Sequence, residues 1–219
     1  QANDFDNHRL NYWHQWRGPD ANGVAAQADP PLEWTENKNV KWKVELSGSG
    51  SSSPIVWKDR VFVTSAIRTE RVSESPTPKR EVFQVELPEG VPERTFLPLP
   101  ENYYKFVVSV FDRETGEQLW EKIVAEQVPH RGHHADHGYA SSSPTTDGRY
   151  VYVSFGSVGI FCLDFEGDVK WSRDLADLEV PNDFGEVVTP VLHGDRIVVV
   201  MDHLGHSFIV ALDTQTGET

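Results

Sequence analysis

Ala211-Leu212-Asp213-Thr214-Gln215-Thr216-Gly217-Glu218 decides the reading of the fold, because its pattern occurs three times. One copy is Phe111-Asp112-Arg113-Glu114-Thr115-Gly116-Glu117-Gln118-Leu119-Trp120. Another is Leu163-Asp164-Phe165-Glu166-Gly167-Asp168-Val169-Lys170-Trp171, one residue shorter before its glycine and without the threonine. The aspartates are spaced 52 and 49 residues apart (164 − 112 and 213 − 164). In the first two copies a tryptophan follows the glycine by four positions, and the third would place it at 221, past the last residue given. Each copy reads as strand, tight turn, strand. The aspartate accepts backbone N–H bonds at the turn, the glycine supplies the positive φ that closes it, and the next strand carries a large aromatic toward a packed face.

A second signal precedes each copy. Ser52-Ser53-Pro54-Ile55-Val56, Ser142-Ser143-Pro144-Thr145-Thr146 and Val188-Thr189-Pro190-Val191-Leu192 are strand starts led by a hydroxyl and a proline. Short polar turns follow, at Lys58-Asp59-Arg60, Asp147-Gly148-Arg149 and His193-Gly194-Asp195-Arg196. Then come β-branched runs, Val61 to Val63, Tyr150 to Val153 and Ile197 to Val200. Four short antiparallel strands in roughly 50 residues is the period of a propeller blade. No segment shows the apolar stripe of a long helix; Val124 to Val128 and Asp174 to Leu178 read as single turns at most.

The expected organisation is an irregular N-terminal clasp over 1–32 and a partial all-β propeller over 33–219. Within it, 33–46 is a ring-closing strand with Trp42 in the position of Trp120 and Trp171. Blades follow at 51–124, at 141–175 and, incomplete, at 187–219. The first blade is too long: 68–100 is a proline-rich insertion holding a short strand over Val82 to Leu87, too dense in proline for a helix. About three blades cannot close a ring, and an open arc leaves sheet edges bare. The expected partners are therefore the remaining blades, from the same polypeptide or from another copy. The start at Gln1 fits a mature exported chain.

Composition narrows the function. Twenty Lys and Arg against 34 Asp and Glu give a net charge of −14, with no basic tract, which argues against a nucleic-acid partner. The apolar runs are strand-sized, so no transmembrane segment is expected. The single Cys162 excludes an intrachain disulfide and a thiolate metal cluster. It falls in a strand and reads as a buried structural thiol.

With its Ala-x-Asp-x-x-Thr-Gly turn, the 211–217 stretch resembles the tryptophan-docking motif of the quinoprotein-type (PQQ-like repeat) β-propellers. Asp112, Thr115, Gly116 and Trp120 match that motif; Asp164, Gly167 and Trp171 match it with the deletion noted. Trp13-His14-Gln15-Trp16-Arg17-Gly18-Pro19, with Trp34, Trp42 and Ser52-Ser53-Pro54, is similar to secreted PQQ-like repeat proteins of planctomycete-type bacteria. The resemblance implies an eight-bladed ring in the complete protein and a periplasmic or secreted location. It implies two kinds of activity. The quinoprotein alcohol dehydrogenases hold pyrroloquinoline quinone and a metal near the ring axis, often beside paired cysteines, which this chain lacks. The outer-membrane assembly lipoprotein uses the same propeller with no cofactor. Repeat membership alone therefore does not assign an activity.

The local anomaly is His130-Arg131-Gly132-His133-His134-Ala135-Asp136-His137-Gly138-Tyr139, which holds four of the nine histidines. Imidazole and carboxylate suit a transition metal rather than calcium, so His130, His133, His134 and His137, with Asp136, are the candidate metal ligands. The other reading is loop packing, with backbone bonds or stacking on Tyr139. Asp202-His203-Leu204-Gly205-His206-Ser207 is a second, weaker cluster that also reads as a polar hairpin. Trp42, Trp120 and Trp171 read as inter-blade packing, and Asp112, Asp164 and Asp213 as turn caps. Trp13, Trp16 and Arg17 read as part of the clasp. Gly48, Gly50 and their serines lack the phosphate-loop pattern.

Three functions follow. The first is a scaffold that binds protein or polysaccharide. The second is a quinone- or metal-dependent oxidoreductase, its site completed by blades beyond residue 219. The third is a polysaccharide-degrading enzyme, for which His137, Tyr139 and Arg131 are the available groups.

Overall fold

A computed structural model describes residues 4–26, 28–74, 100–180 and 184–219. The strands fall into three antiparallel sheets with up-and-down order. The first holds β1 (Ile55–Trp57), β2 (Arg60–Val72), β3 (Asn102–Asp112) and β4 (Gln118–Gln127). The second holds β5 (Thr145–Thr146), β6 (Tyr150–Ser154), β7 (Ile160–Asp164) and β8 (Val169–Arg173). The third holds β9 (Val191–His193), β10 (Arg196–Met201) and β11 (Phe208–Asp213). Each sheet is one blade. Its inner strand starts at a Ser-Pro or Thr-Pro pair, because proline is tolerated at a strand's first positions.

Some boundaries differ from the sequence reading. β2 runs on to Val72, paired with Asn102, so position 68 lies inside the β2–β3 ladder. Residues 75–99, which include the strand expected at Val82 to Leu87, lie outside the described residues. Val124 to Gln127 continue β4 instead of making a helical turn. Residues 40–46 form no ladder, although Trp42 is docked.

The sheets stack face to face. Ile55, Phe62, Phe106, Val108 and Val110 of the first blade pack against Val151, Val153, Phe161 and Leu163 of the second. Tyr152, Ile160, Cys162 and Trp171 of the second pack against Ile197, Val199, Met201 and Leu212 of the third. Along each strand the inward set recurs every second residue, as the pleat requires.

Two devices repeat at the blade junctions. In the first, a tryptophan lies on the turn glycine of the blade that follows it. Trp42 covers Gly116, Trp120 covers Gly167 and Trp171 covers Gly217. Each indole donates to the carbonyl one residue after the turn aspartate: Arg113 O at 2.8 Å, Phe165 O at 2.8 Å and Thr214 O at 3.0 Å. The aspartates shape the turns. Asp112 Oδ1 accepts from Glu114 N, Thr115 N and Thr115 Oγ1, and Asp213 Oδ1 accepts from the matching groups of Gln215 and Thr216. These bonds hold both carboxyls below the usual carboxylate range. In the second device the residue before the strand proline donates its N–H to the equivalent hydroxyl of the next blade. Ser53 N reaches Ser143 Oγ at 2.9 Å, and Ser143 N reaches Thr189 Oγ1 at 3.3 Å.

The clasp opens with a short helix, α1 (Asp4–His8). It then runs along the inner strands, where Trp13 O accepts from Val56 N at 2.8 Å and His14 O accepts from Thr146 N at 3.1 Å. Phe5, Tyr12 and His14 pack around the Trp57 ring. Among the described residues no helix is long and apolar enough to cross a membrane.

Candidate functional site on the inter-blade loop face

Up-and-down blades put two kinds of loop on opposite faces. One face collects the connections between blades and the β6–β7 and β10–β11 turns; the other collects the docking turns. The histidine-rich segment is the connection from β4 to β5, on the first face. It runs beside the connection from β8 to β9.

Three of the four candidate ligands touch that second connection. His130 Nδ1 lies 3.4 Å from Asp177 Oδ2. The His134 ring lies 6.0 Å from the Phe184 ring, and His134 N donates to Phe184 O. His137 covers Gly185, where a Cβ would run into its Nδ1. His133 instead meets the edge of Tyr139 at 4.5 Å, with Nδ1 2.7 Å from His134 O. Asp136 lies 3.7 Å from His134 Nδ1. Arg131 reaches across to Glu179 at 3.7 Å. Among the described residues no group of three His, Cys, Asp or Glu side chains is arranged to hold a metal ion. The histidines are brought together as a seam between two loops, each on its own partner.

His203 extends the seam. Its Nδ1 accepts from Glu179 N at 3.2 Å, while His206 is exposed. His137, Tyr139 and Arg131 also do not face one another as a set. His137 Nδ1 is engaged by Gly138 O and Ser141 Oγ, Tyr139 packs on Tyr104 at 4.7 Å, and Arg131 pairs with Glu179.

The sequence reading missed Glu186. Its carboxylate is chelated by Ser157, which donates from N at 2.6 Å and from Oγ at 2.7 Å. Ser157 Oγ also accepts from Leu178 N at 2.7 Å. Burial pushes the Glu186 carboxyl above its ordinary range, against the opposing effect of those bonds. Burial pushes His137 the other way, with His133 and His134 adding to the shift. A lone glutamate in a polar loop carries no signal in sequence; its partner lies 29 residues earlier. His130, Arg131 and Glu186 together line a chamber of about 20 Å³.

On the opposite face the clasp and the turns of the second and third blades border a polar cleft of about 660 Å³. Arg9, His14, Asp147, Arg149, His193 and Asp195 line it. Trp13 packs on Gly18, and Arg17 lies over the half-exposed Trp16. Cys162 is fully buried, and burial holds its thiol far above the ordinary range.

Repeated indole-on-glycine docking onto antiparallel up-and-down blades defines a partial PQQ-like β-propeller. The family model described as "Outer membrane protein assembly factor BamB" matches residues 105–219, and the chain belongs to that family. The polyvinylalcohol dehydrogenase of Sphingopyxis sp. (strain 113P3) is 30% identical over 132 residues, covering 53% of this chain and 20% of that protein. Among solved structures, a europium-containing methanol dehydrogenase is 14% identical with a TM-score of 0.46, over 81% of this chain and 25% of its own. BamB from Moraxella catarrhalis is 22% identical with a TM-score of 0.34, over 53% of this chain and 32% of its own. The chain thus spans a fifth to a third of the length of these proteins.

The resemblance to quinoprotein-type propellers raises the question of a quinone here. The chamber on the loop face has room for about one heavy atom. A tricyclic quinone needs a pocket in the range of ~300 Å³ or more, so the described residues that line this chamber do not fit that group.

Proposed function

We propose that this protein is an exported PQQ-like β-propeller that serves as a binding and assembly scaffold, presenting its inter-blade loops to a protein partner. The observation that carries this reading is the commitment of the reactive side chains on the loop face. His130, Arg131, His134, His137 and Glu186 are each engaged in joining one loop to another. A set held in this way builds a stable surface. The family match over 105–219 to an assembly factor supports the same reading.

The test is site-specific photo-crosslinking of the full-length protein in its native cell. A crosslinker at exposed Ala135, on the loop face, gives a discrete protein adduct. One at exposed Glu117, on the docking-turn face, gives none. Adducts from Glu117 alone contradict the proposal.

A second reading, a quinone- or metal-dependent oxidoreductase, is favoured by the 30% identity to polyvinylalcohol dehydrogenase. On this reading its site lies outside the residues gathered on the loop face.

A further inference from the structure

The chamber behind the histidine seam leaves two nitrogens unsatisfied. His130 Nε2 and Arg131 Nε are buried and have no hydrogen-bond partner in the protein. Both residues line the chamber, with Phe106, Tyr139, Phe155 and Val158 among its apolar walls and Glu186 at one side. Buried polar groups of native proteins are almost always paired, with protein or with ordered water.

The donor and acceptor roles specify the guest. Arg131 Nε carries a hydrogen and can only donate. His130 Nε2 is an acceptor or a donor according to which ring nitrogens carry hydrogen, and His130 Nδ1 lies 3.4 Å from the Asp177 carboxylate. The guest must therefore accept from Arg131 and be able to meet His130 Nε2 in either role, which a water does. A halide accepts but cannot donate. A metal cation cannot accept from a guanidinium and is repelled by it. The volume of about 20 Å³ admits one heavy atom.

We propose that this chamber is a binding site for a single buried water, which accepts from Arg131 Nε and hydrogen-bonds His130 Nε2. The Glu186 carboxyl is the neighbouring acceptor for its second hydrogen. The water sits behind both inter-loop ion contacts, His130 with Asp177 and Arg131 with Glu179. It fixes the two side chains that tie the connections together. This inference is independent of the proposed scaffold role.

A high-resolution crystal structure of the full-length protein tests it. The expected result is one density peak within about 3.2 Å of both nitrogens. An empty chamber, or direct pairing of either nitrogen with protein, overturns it. An anomalous peak in the chamber after a bromide soak also overturns it, by making the site a halide site. In solution, magnetic relaxation dispersion counts long-lived internal waters. Val158→Leu, which adds a methylene to the chamber wall, is expected to hold one fewer than the wild type. If that variant fails to fold, Arg131→Met, which removes the donor, carries the same expectation. An unchanged count in a folded variant contradicts the site.

Discussion

Trp171 lies on Gly217 of the following blade and donates its indole N–H to Thr214 O at 3.0 Å, a carbonyl that also accepts from Tyr152 OH at 3.3 Å. The ring supplies buried area and the N–H supplies register. Trp171→Phe in the full-length protein therefore loses about 1 kcal/mol, the net worth of a hydrogen bond. Trp171→Ala loses about 3–5 kcal/mol, the usual cost of emptying a large aromatic site. Urea midpoints should fall in the order wild type, Phe, Ala. Equal midpoints for Phe and Ala would show that the ring contributes nothing beyond its N–H.

The turn glycines differ in how much room they leave. A Cβ at Gly116 would meet Trp42 at 2.6 Å, whereas one at Gly167 would meet Trp120 at 3.2 Å. Both residues have positive φ, +75° and +91°, which costs an L-residue about 1–2 kcal/mol. Gly167→Ala should show little more than that backbone cost. Gly116→Ala should add the displacement of Trp42, seen as a larger fall in Tm and a red shift of the indole emission. The reverse order would contradict the docking geometry.

Ser143 links both neighbouring blades, accepting from Ser53 N and donating its own N–H to Thr189 Oγ1. Ser143→Ala leaves the Ser53 N–H without its acceptor in a partly buried site, at a cost of about 1–3 kcal/mol. Ser143→Thr keeps the hydroxyl and should recover most of that loss. Chemical denaturation of the two variants decides the point, and equal losses would assign the effect to packing alone.

Two groups on the seam give pH dependence of opposite sign. Glu186 binds its proton more tightly folded than unfolded, since burial raises its pKa above 4.5. Its contribution is full below about pH 4.5 and is lost as pH rises through the folded value. His137 binds its proton less tightly folded than unfolded, since burial lowers its pKa below 6.5. Its contribution is present above pH 6.5 and is lost as pH falls through the folded value. Relative to wild type, Glu186→Gln should therefore gain stability as pH rises from 4.5 toward neutrality. His137→Gln should gain as pH falls below 6.5. Parallel stability curves for either variant and the wild type would remove that group from the balance.

The blade register was legible because its chemistry is local. Asp112, Gly116 and Trp120 fall within nine residues, and a turn aspartate, a positive-φ glycine and a packing indole keep fixed spacing. The Ser-Pro and Thr-Pro strand starts were legible too, but their inter-blade bonds were not, because Ser53 and Ser143 meet only after two sheets stack. Trp57, which covers Gly148 much as the docking indoles cover their glycines, was missed for the same reason. Its place at the end of an inner strand was the available signal. The histidine loop was visible as a cluster, and a cluster in sequence suggests convergence. The structure spreads it instead, because Asp177, Phe184 and Gly185 on the neighbouring connection each take one histidine. Residues 40–46 alternate like a strand, with Val40, Trp42, Val44 and Leu46 on one side, yet form no ladder. The inter-blade docking of Trp42 does not depend on one.

The scaffold reading is tested most directly by a dye-linked oxidation assay on the full-length protein. It is loaded with pyrroloquinoline quinone and calcium and offered polyvinyl alcohol and short primary alcohols. The predicted result is a rate no greater than that of the protein-free control. A rate that scales with protein and saturates with the quinone would contradict the scaffold reading and establish the oxidoreductase.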